Sequence, residues 1–130
     1  MEIFYGSYAE TKRFLRQFYK NIGQIWCPVL NDYIVFTRRG FDHLIGKGDI
    51  VRPKSEQKRR FSLLPYVQDI LIYPHAEFSY ETKLINEKNI HYWKFTGAGG
   101  GMHITIIIKQ TPKGKKQFLT VYGKKQKSTL

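Results

Sequence analysis

Apolar and polar residues alternate along the C-terminal half of the chain with the two-residue period of β-strands. In the segment 103–110, Ile104, Ile106 and Ile108 share one face, and His103, Thr105, Ile107 and Lys109 share the other. Three further segments are rich in β-forming residues, at about 77–84, 90–95 and 117–122. The short turns between the four segments predict an antiparallel meander, and the glycine run 97–101 is interpreted as a flexible hairpin loop.

The N-terminal half carries helical patterns. Ser7 and Glu10 have the spacing of a capping box, which predicts a helix over about 7–20 with an apolar stripe at Phe14, Leu15, Phe18 and Ile22. A hairpin follows over 24–36, then a short helix from Thr37, then a basic helix from Ser55 that Pro65 is expected to kink or divide. The predicted fold class is α+β: N-terminal helices pack on a four-stranded antiparallel meander, with a small N-terminal hairpin. We expect a single domain over 1–130 with a flexible basic tail over about 124–130.

The charge balance is strongly positive, with 22 Lys and Arg against 10 Asp and Glu. A formal net charge of +12 favours polyanion binding, and nucleic acid is preferred over an anionic membrane because no long apolar run or amphipathic basic helix is present. No secretory signal is readable at the amino terminus. Cys27, the single cysteine, is expected to be a small buried residue. We therefore expect a cytoplasmic protein that binds RNA and has no membrane partner.

Candidate binding residues lie on the last predicted strand and in the basic helices. Alternation places Phe118, Thr120 and Tyr122 on one face, where the two rings could stack on bases and Thr120 could donate to a phosphate oxygen, although ordinary β-propensity explains the pattern equally well. Arg59 or Arg60 suits contact with a phosphate better than a lysine does, against the alternative of a solvated helix face. The other predicted RNA-binding cations are Arg38, Arg39, Lys58 and Lys109.

Histidine is the natural acid or base for RNA cleavage near neutral pH. Of the four histidines, His43 is the best placed, on a helix between basic runs, although a lone helical histidine is more often structural. His91 shares a strand face with Trp93 and Phe95, so a core role competes there. The histidines lack the spacing of metal ligands and no carboxylate cluster is present, so no metal and no cofactor are expected.

The order of these motifs resembles a phage-associated nuclease domain of the barnase/EndoU/colicin/RelE-like (BECR) fold. The resemblance covers residues 33–123: Tyr-Ile-Val-Phe-Thr-Arg-Arg-Gly-Phe-Asp-His at 33–43, a basic helix with Arg59 and Arg60 before Leu-Leu-Pro, and Phe-Leu-Thr-Val-Tyr at 118–122. It implies a toxin-like, metal-independent endoribonuclease that leaves a 2′,3′-cyclic phosphate. It also implies His43, Arg59 or Arg60, and Thr120 with Tyr122 as catalytic residues.

The chain departs from barnase in showing no obvious glutamate base and no histidine on the last strand, which leaves the general base open with His43 preferred. An acidic inhibitor protein is an expected partner, because carboxylates fit a basic site. Two alternatives stay open: a non-catalytic RNA- or DNA-binding module, and a basic packaging protein of a phage or mobile element.

Overall fold

The computed structural model describes residues 7–125. Within them the three α-helices are α1 (Tyr8–Ile22), α2 (Arg38–Ile45) and α3 (Lys54–Ile72). The strands before α3 are β1 (Gln24–Cys27), β2 (Asp32–Val35), β3 (Gly46–Lys47) and β4 (Ile50–Val51). The strands after it are β5 (Glu77–Ile85), β6 (Lys88–Gly99), β7 (Met102–Gln110) and β8 (Gln117–Lys125). The α+β class is confirmed.

Six of these strands form one mixed sheet in the order β1-β2-β8-β7-β6-β5, and β3 pairs with β4 in a separate small hairpin. Strands β5 to β8 pair antiparallel in sequence order. The predicted four-stranded antiparallel sheet is nevertheless incomplete, because β2 pairs parallel with β8 at Val35 and Gln117. The N-terminal hairpin is thus part of the main sheet and makes it six-stranded.

Helix α1 begins as the capping box predicts, since the backbone N–H of Glu10 donates to the Ser7 hydroxyl at 3.2 Å. Its buried residues are Thr11, Leu15 and Tyr19. Phe14, predicted on the apolar stripe, is instead 47% exposed. The ring of Tyr19 contacts those of Phe36, Phe41 and Phe118, so this tyrosine carries the packing of α1 against α2 and the sheet.

Pro65 does not divide α3, which is one helix across it. The buried apolar residues of α3 belong to the same core cluster as those of the sheet, and their burial offsets the hydrogen bond that proline removes. The glycine run is likewise not a loop, because Gly97–Gly99 belong to β6 and Gly100 and Gly101 form the turn to β7. A Cβ at Gly97 would lie 2.7 Å from the Ile70 side chain, so this glycine permits the close approach of α3 to the sheet.

The core face of the sheet is the one that the isoleucine periodicity predicts: Ile104, Ile106 and Ile108 are each at most 1% exposed. On β8 a bulge interrupts the alternation. Ile108 pairs with Phe118 and Ile107 pairs with Thr120, so Leu119 is an extra residue between them. Phe118 therefore lies in the core, while Thr120 and Tyr122 lie on the opposite face.

The first turn of the meander and its last strand also differ from the prediction. The turn from β5 to β6 consists of Asn86 and Glu87, both with positive φ, as a tight hairpin turn requires. Lys124 and Lys125, predicted to belong to a flexible tail, extend β8. The rest of that predicted tail, 126–130, lies outside the described residues. Within the described part of the chain, no helix is long and apolar enough to cross a membrane.

Candidate functional site

The candidate site lies where the pairing of β2 with β8 ends and β8 continues with β7 as its one neighbouring strand. Strand β2 pairs with β8 at Gln117, and beyond that point α2 packs against β8. The helix comes close because it carries Gly40 at the contact, where a Cβ would lie 2.5 Å from the Phe118 carbonyl oxygen. This arrangement brings α2 and the start of α3 to the same stretch of β8, which contains Thr120 and Tyr122.

Arg60 of α3 binds that stretch directly. Its Nη1 donates to the Thr120 hydroxyl oxygen at 2.9 Å and to the Val121 carbonyl oxygen at 3.4 Å. Its Nε donates to the Glu56 carboxylate at 3.0 Å, and only 12% of the Arg60 side chain is exposed. The guanidinium carbon also lies 5.9 Å from the centroid of the Tyr122 ring. Since an arginine can only donate, the Thr120 hydroxyl accepts here and keeps its own hydrogen for another acceptor.

Thr120 and Tyr122 line a cleft of about 680 Å³ on the sheet face opposite the core. We call it the basic cleft. His43 of α2 and Lys47 of β3 line one side, and Glu81, Lys83, Tyr92 and Lys94 of β5 and β6 line the other. Three lysines against one carboxylate give the lining a net positive charge, which suits a phosphodiester.

His43 places an imidazole at this cleft. Its Nδ1 is buried and has no hydrogen-bond partner among the described residues. Burial, followed by the charges of Arg52, Arg60, Lys47 and Lys109, lowers the pKa of His43 from its ordinary value of 6.5. The neutral ring is therefore the dominant form at pH 7, and a neutral imidazole can accept a proton.

The structure separates Arg60 from Arg59, which the sequence could not do. The Arg59 side chain is 60% exposed and forms an ion pair with Glu56 at 3.7 Å, whereas Arg60 reaches Thr120. His43, Arg60, Thr120 and Tyr122 thus lie together, and Arg59 lies outside the group.

The predicted RNA-binding residues are divided. Arg39 lies four residues before His43, which places both on one face of α2, and the charge of Lys109 acts on His43. Arg38 is paired with Asp42 at 3.8 Å and lines a different cavity beside α1. Lys58 is exposed on α3.

Phe118 is the clear error among the predicted binding residues. It is 1% exposed and stacks on Phe36 with ring centroids 5.1 Å apart, so it has no face free for a base. The cause is the bulge at Leu119, which returns the preceding residue to the core face.

Two residues of the site were not singled out from the sequence. Arg52 donates from Nε to the His43 carbonyl oxygen at 3.2 Å and so ties the chain before α3 to the end of α2. Glu81 is the carboxylate of the basic cleft, 62% exposed and 3.7 Å from the Lys83 ammonium. Strand alternation groups Glu81 with Ser79 and Lys83, but only the pairing of β5 with β6 shows that this face turns to the cleft.

Cys27 is fully buried, as expected, and burial raises the pKa of its thiol, which makes it a poor nucleophile. Within residues 7–125, no three His, Cys, Asp or Glu side chains lie close enough together to hold a metal ion. Metal independence stays a prediction that an experiment must test.

No family model, curated protein or solved structure matches this chain. The resemblance to BECR nucleases therefore stays a prediction.

Proposed function

We propose that the chain is a metal-independent endoribonuclease that cleaves RNA by attack of the ribose 2′-hydroxyl and leaves a 2′,3′-cyclic phosphate. The observation that carries the proposal is the meeting of an imidazole, an arginine-bound hydroxyl and a tyrosine at one basic cleft, contributed by α2, α3 and β8. In-line transfer at phosphorus requires a base, hydrogen-bond donors to the phosphoryl oxygens and positive charge. Each of these is present in the group.

His43 takes the general-base role in this mechanism. Its lowered pKa keeps the ring neutral, so it can accept the 2′-hydroxyl proton as the 2′-oxygen attacks phosphorus. The P–O5′ bond then breaks, and the 5′-oxygen leaves with the electron pair and takes a proton from solvent. The products are a cyclic phosphate and a 5′-hydroxyl, with no other reactant consumed.

Thr120 and Tyr122 bind the scissile phosphate. The Thr120 hydroxyl accepts from Arg60, which orients its hydrogen for donation to a phosphoryl oxygen. Arg60 is a positioning residue, because Glu56 balances its charge and it reaches the cleft through Thr120. Lys47, Lys83 and Lys94 supply the positive potential around the bound strand.

The test is incubation of the purified chain with single-stranded RNA, followed by identification of the new ends. We expect 2′,3′-cyclic phosphate ends, full activity in EDTA, and no cleavage of a substrate with a single 2′-deoxyribose at the scissile position. His43→Ala should abolish cleavage, whereas His75→Ala, a matched change at an exposed histidine outside the basic cleft, should not. Cleavage of the 2′-deoxy substrate, or activity lost in EDTA and restored by added metal, would refute the mechanism.

The second candidate is a non-catalytic RNA- or DNA-binding module, favoured by the same net charge of +12. Salt-sensitive binding without any new RNA ends, under all conditions tried, would select it over the nuclease. A basic packaging protein would bind in the same way without sequence preference.

We further propose that β5 to β8, with the helices on one face, form a barnase/RelE-like arrangement, and that the enzyme is toxin-like and acts in the cytoplasm. An acidic inhibitor protein would then cover the basic cleft. Expression should slow the growth of a host cell, and His43→Ala should relieve the defect. Equal growth with the two chains at equal protein levels would argue against toxicity.

A further inference from the structure

A second surface lies at the edge strand β5, on the face of the sheet opposite the basic cleft. Phe78 and Tyr80 of β5 stand beside His91 and Trp93 of β6, and we call these four residues the aromatic face. The Tyr80 ring stacks on His91 at 5.8 Å between centroids and lies 5.3 Å from Trp93. Phe78 and Tyr80 are 41% and 51% exposed, so their rings present open surface.

Polar contacts fix these rings in place. The Tyr80 hydroxyl is hydrogen-bonded to His91 Nδ1 and accepts from the Thr82 hydroxyl at 2.8 Å. The Lys116 ammonium lies 5.1 Å from the Trp93 ring centroid and forms an ion pair with Asp32 at 2.7 Å. Flat rings held in one orientation form a stacking platform, because little side-chain entropy is lost when a base settles on them.

The aromatic face is continuous with the basic cleft at Tyr80. This residue lines both the cleft and the shallow cavity of about 550 Å³ over the aromatic face. Strand β5 is the last strand of the sheet within the described residues, so only one strand separates the two surfaces. Its outer edge has no partner strand among residues 7–125, so every second backbone N–H over Glu77–Ile85 can donate to phosphate oxygens.

We propose that the aromatic face binds a nucleobase of the RNA strand that occupies the basic cleft, one or more nucleotides away from the scissile phosphate. The inference rests on the proposed function for the choice of RNA as the ligand. Lys83 and Lys94 lie in the cleft on the two strands that carry the aromatic face, so the strand leaving the cleft meets positive charge before it crosses β5. Base stacking tolerates any base, so this subsite adds affinity and a minimum length without sequence preference.

The binding test uses His43→Ala as the background, so that the RNA stays intact. The probe is a labelled single-stranded RNA of about eight nucleotides, a length within the range that stacking domains cover. Tyr80→Ala should weaken its binding about tenfold or more, and Tyr80→Phe should weaken it much less because it keeps the ring and loses only the hydroxyl contacts to His91 and Thr82. Leu84→Ala is the matched control: it removes a 72% exposed side chain from the same strand, outside the aromatic face, and should leave affinity unchanged.

Two further measurements identify what binds there. The same RNA with abasic sites outside the scissile dinucleotide should bind the background about as weakly as intact RNA binds Tyr80→Ala. In the Trp26→Phe background, which leaves Trp93 as the single tryptophan, intact RNA should quench the fluorescence and abasic RNA should not. Unchanged affinity of Tyr80→Ala, or equal binding of intact and abasic RNA, would overturn the inference and leave the aromatic face to a protein partner.

Cleavage kinetics separate this inference from the proposed function. In the active chain, Tyr80→Ala should lower kcat/KM for the longer RNA more than for a dinucleotide substrate. An equal loss on both would mean that the Tyr80 ring acts on the scissile dinucleotide, and would overturn the inference. If no RNA is cleaved but the binding pattern holds, the nuclease proposal fails and the subsite stands. If RNA is cleaved and Tyr80→Ala does not change the cleavage, the nuclease proposal stands and the subsite is ruled out.

Discussion

The bond from Arg60 to Thr120 is the contact on which the proposed site most depends, and a double-mutant cycle tests it. Arg60→Lys keeps a positive charge but cannot reach Glu56, Thr120 and the Val121 carbonyl together, because an ammonium lacks the guanidinium fork. Thr120→Val keeps the shape of the side chain and removes the hydroxyl. A hydrogen bond to a charged group contributes about 1.5–3 kcal/mol, so each change should lower kcat by about 10- to 150-fold.

The cycle shows whether Arg60 and Thr120 affect kcat through one shared interaction or independently. If Arg60 acts through Thr120, the double variant should be no worse than the more damaging single variant, which corresponds to a coupling free energy of about 1.5 kcal/mol or more. Thr120→Ser, which keeps the hydroxyl, should restore most of the activity. The assay is kcat for cyclic-phosphate formation, measured beside urea unfolding so that loss of fold is recognised.

Arg59 supplies the matched control for this cycle. It is the neighbour of Arg60, pairs with the same Glu56, and is 60% exposed without touching Thr120. Arg59→Lys should change kcat little and should combine additively with Thr120→Val, within about 0.5 kcal/mol. Additive losses for Arg60→Lys and Thr120→Val, or a coupling as large for Arg59 as for Arg60, would refute the assignment of Arg60 as the residue that orients Thr120.

Further predictions concern His43 and Gly40. Because the pKa of His43 is lowered, the acidic limb of kcat/KM should lie below pH 6.5; a limb at or above 6.5 would contradict His43 as the base. The same shift means that the folded chain binds fewer protons than the unfolded one, so the free energy of unfolding should fall as pH drops below 6.5. Urea unfolding of His43→Gln should show a smaller fall in this free energy over the same pH range. Gly40→Ala places a Cβ 2.5 Å from the Phe118 carbonyl oxygen and should lower the free energy of unfolding by about 1–3 kcal/mol, and an unchanged free energy in urea unfolding would contradict the close contact of α2 with β8.

Local chemistry allowed much of this fold to be predicted from the sequence. The Ser7 cap, the core face of Ile104, Ile106 and Ile108, and the positions of β5 to β8 depend on neighbouring residues, and all are found. The expected division at Pro65 was wrong because burial of the α3 residues around it offsets a local penalty, and the alternative of a kink stays a prediction. The glycine run was misjudged for the same kind of reason, since Gly97 is required by contact with Ile70 and not by a turn.

The candidate site was predictable only in part, because its geometry depends on pairings between distant segments. The residue types of His43, Arg60, Thr120 and Tyr122 point to phosphate chemistry, but neither helix periodicity nor charge distinguishes Arg60 from Arg59. That distinction arises from which face of α3 lies against β8. Glu81 was missed because alternation groups it with Ser79 and Lys83, but only the pairing of β5 with β6 brings that face to the cleft.

The bulge at Leu119 links the core to the proposed site. With strict alternation, Phe118 would share a face with Thr120, and either the ring would leave the core or the hydroxyl would enter it. One extra residue allows Phe118 to stack on Phe36 while Thr120 faces the cleft and accepts from Arg60. Deleting Leu119 should therefore damage both the core and the site, whereas Leu119→Ala keeps the residue count and should preserve the register. The deletion should lower the free energy of unfolding by several times the loss in Leu119→Ala, and similar losses in the two variants would show that the bulge is not what sets the positions of Phe118 and Thr120.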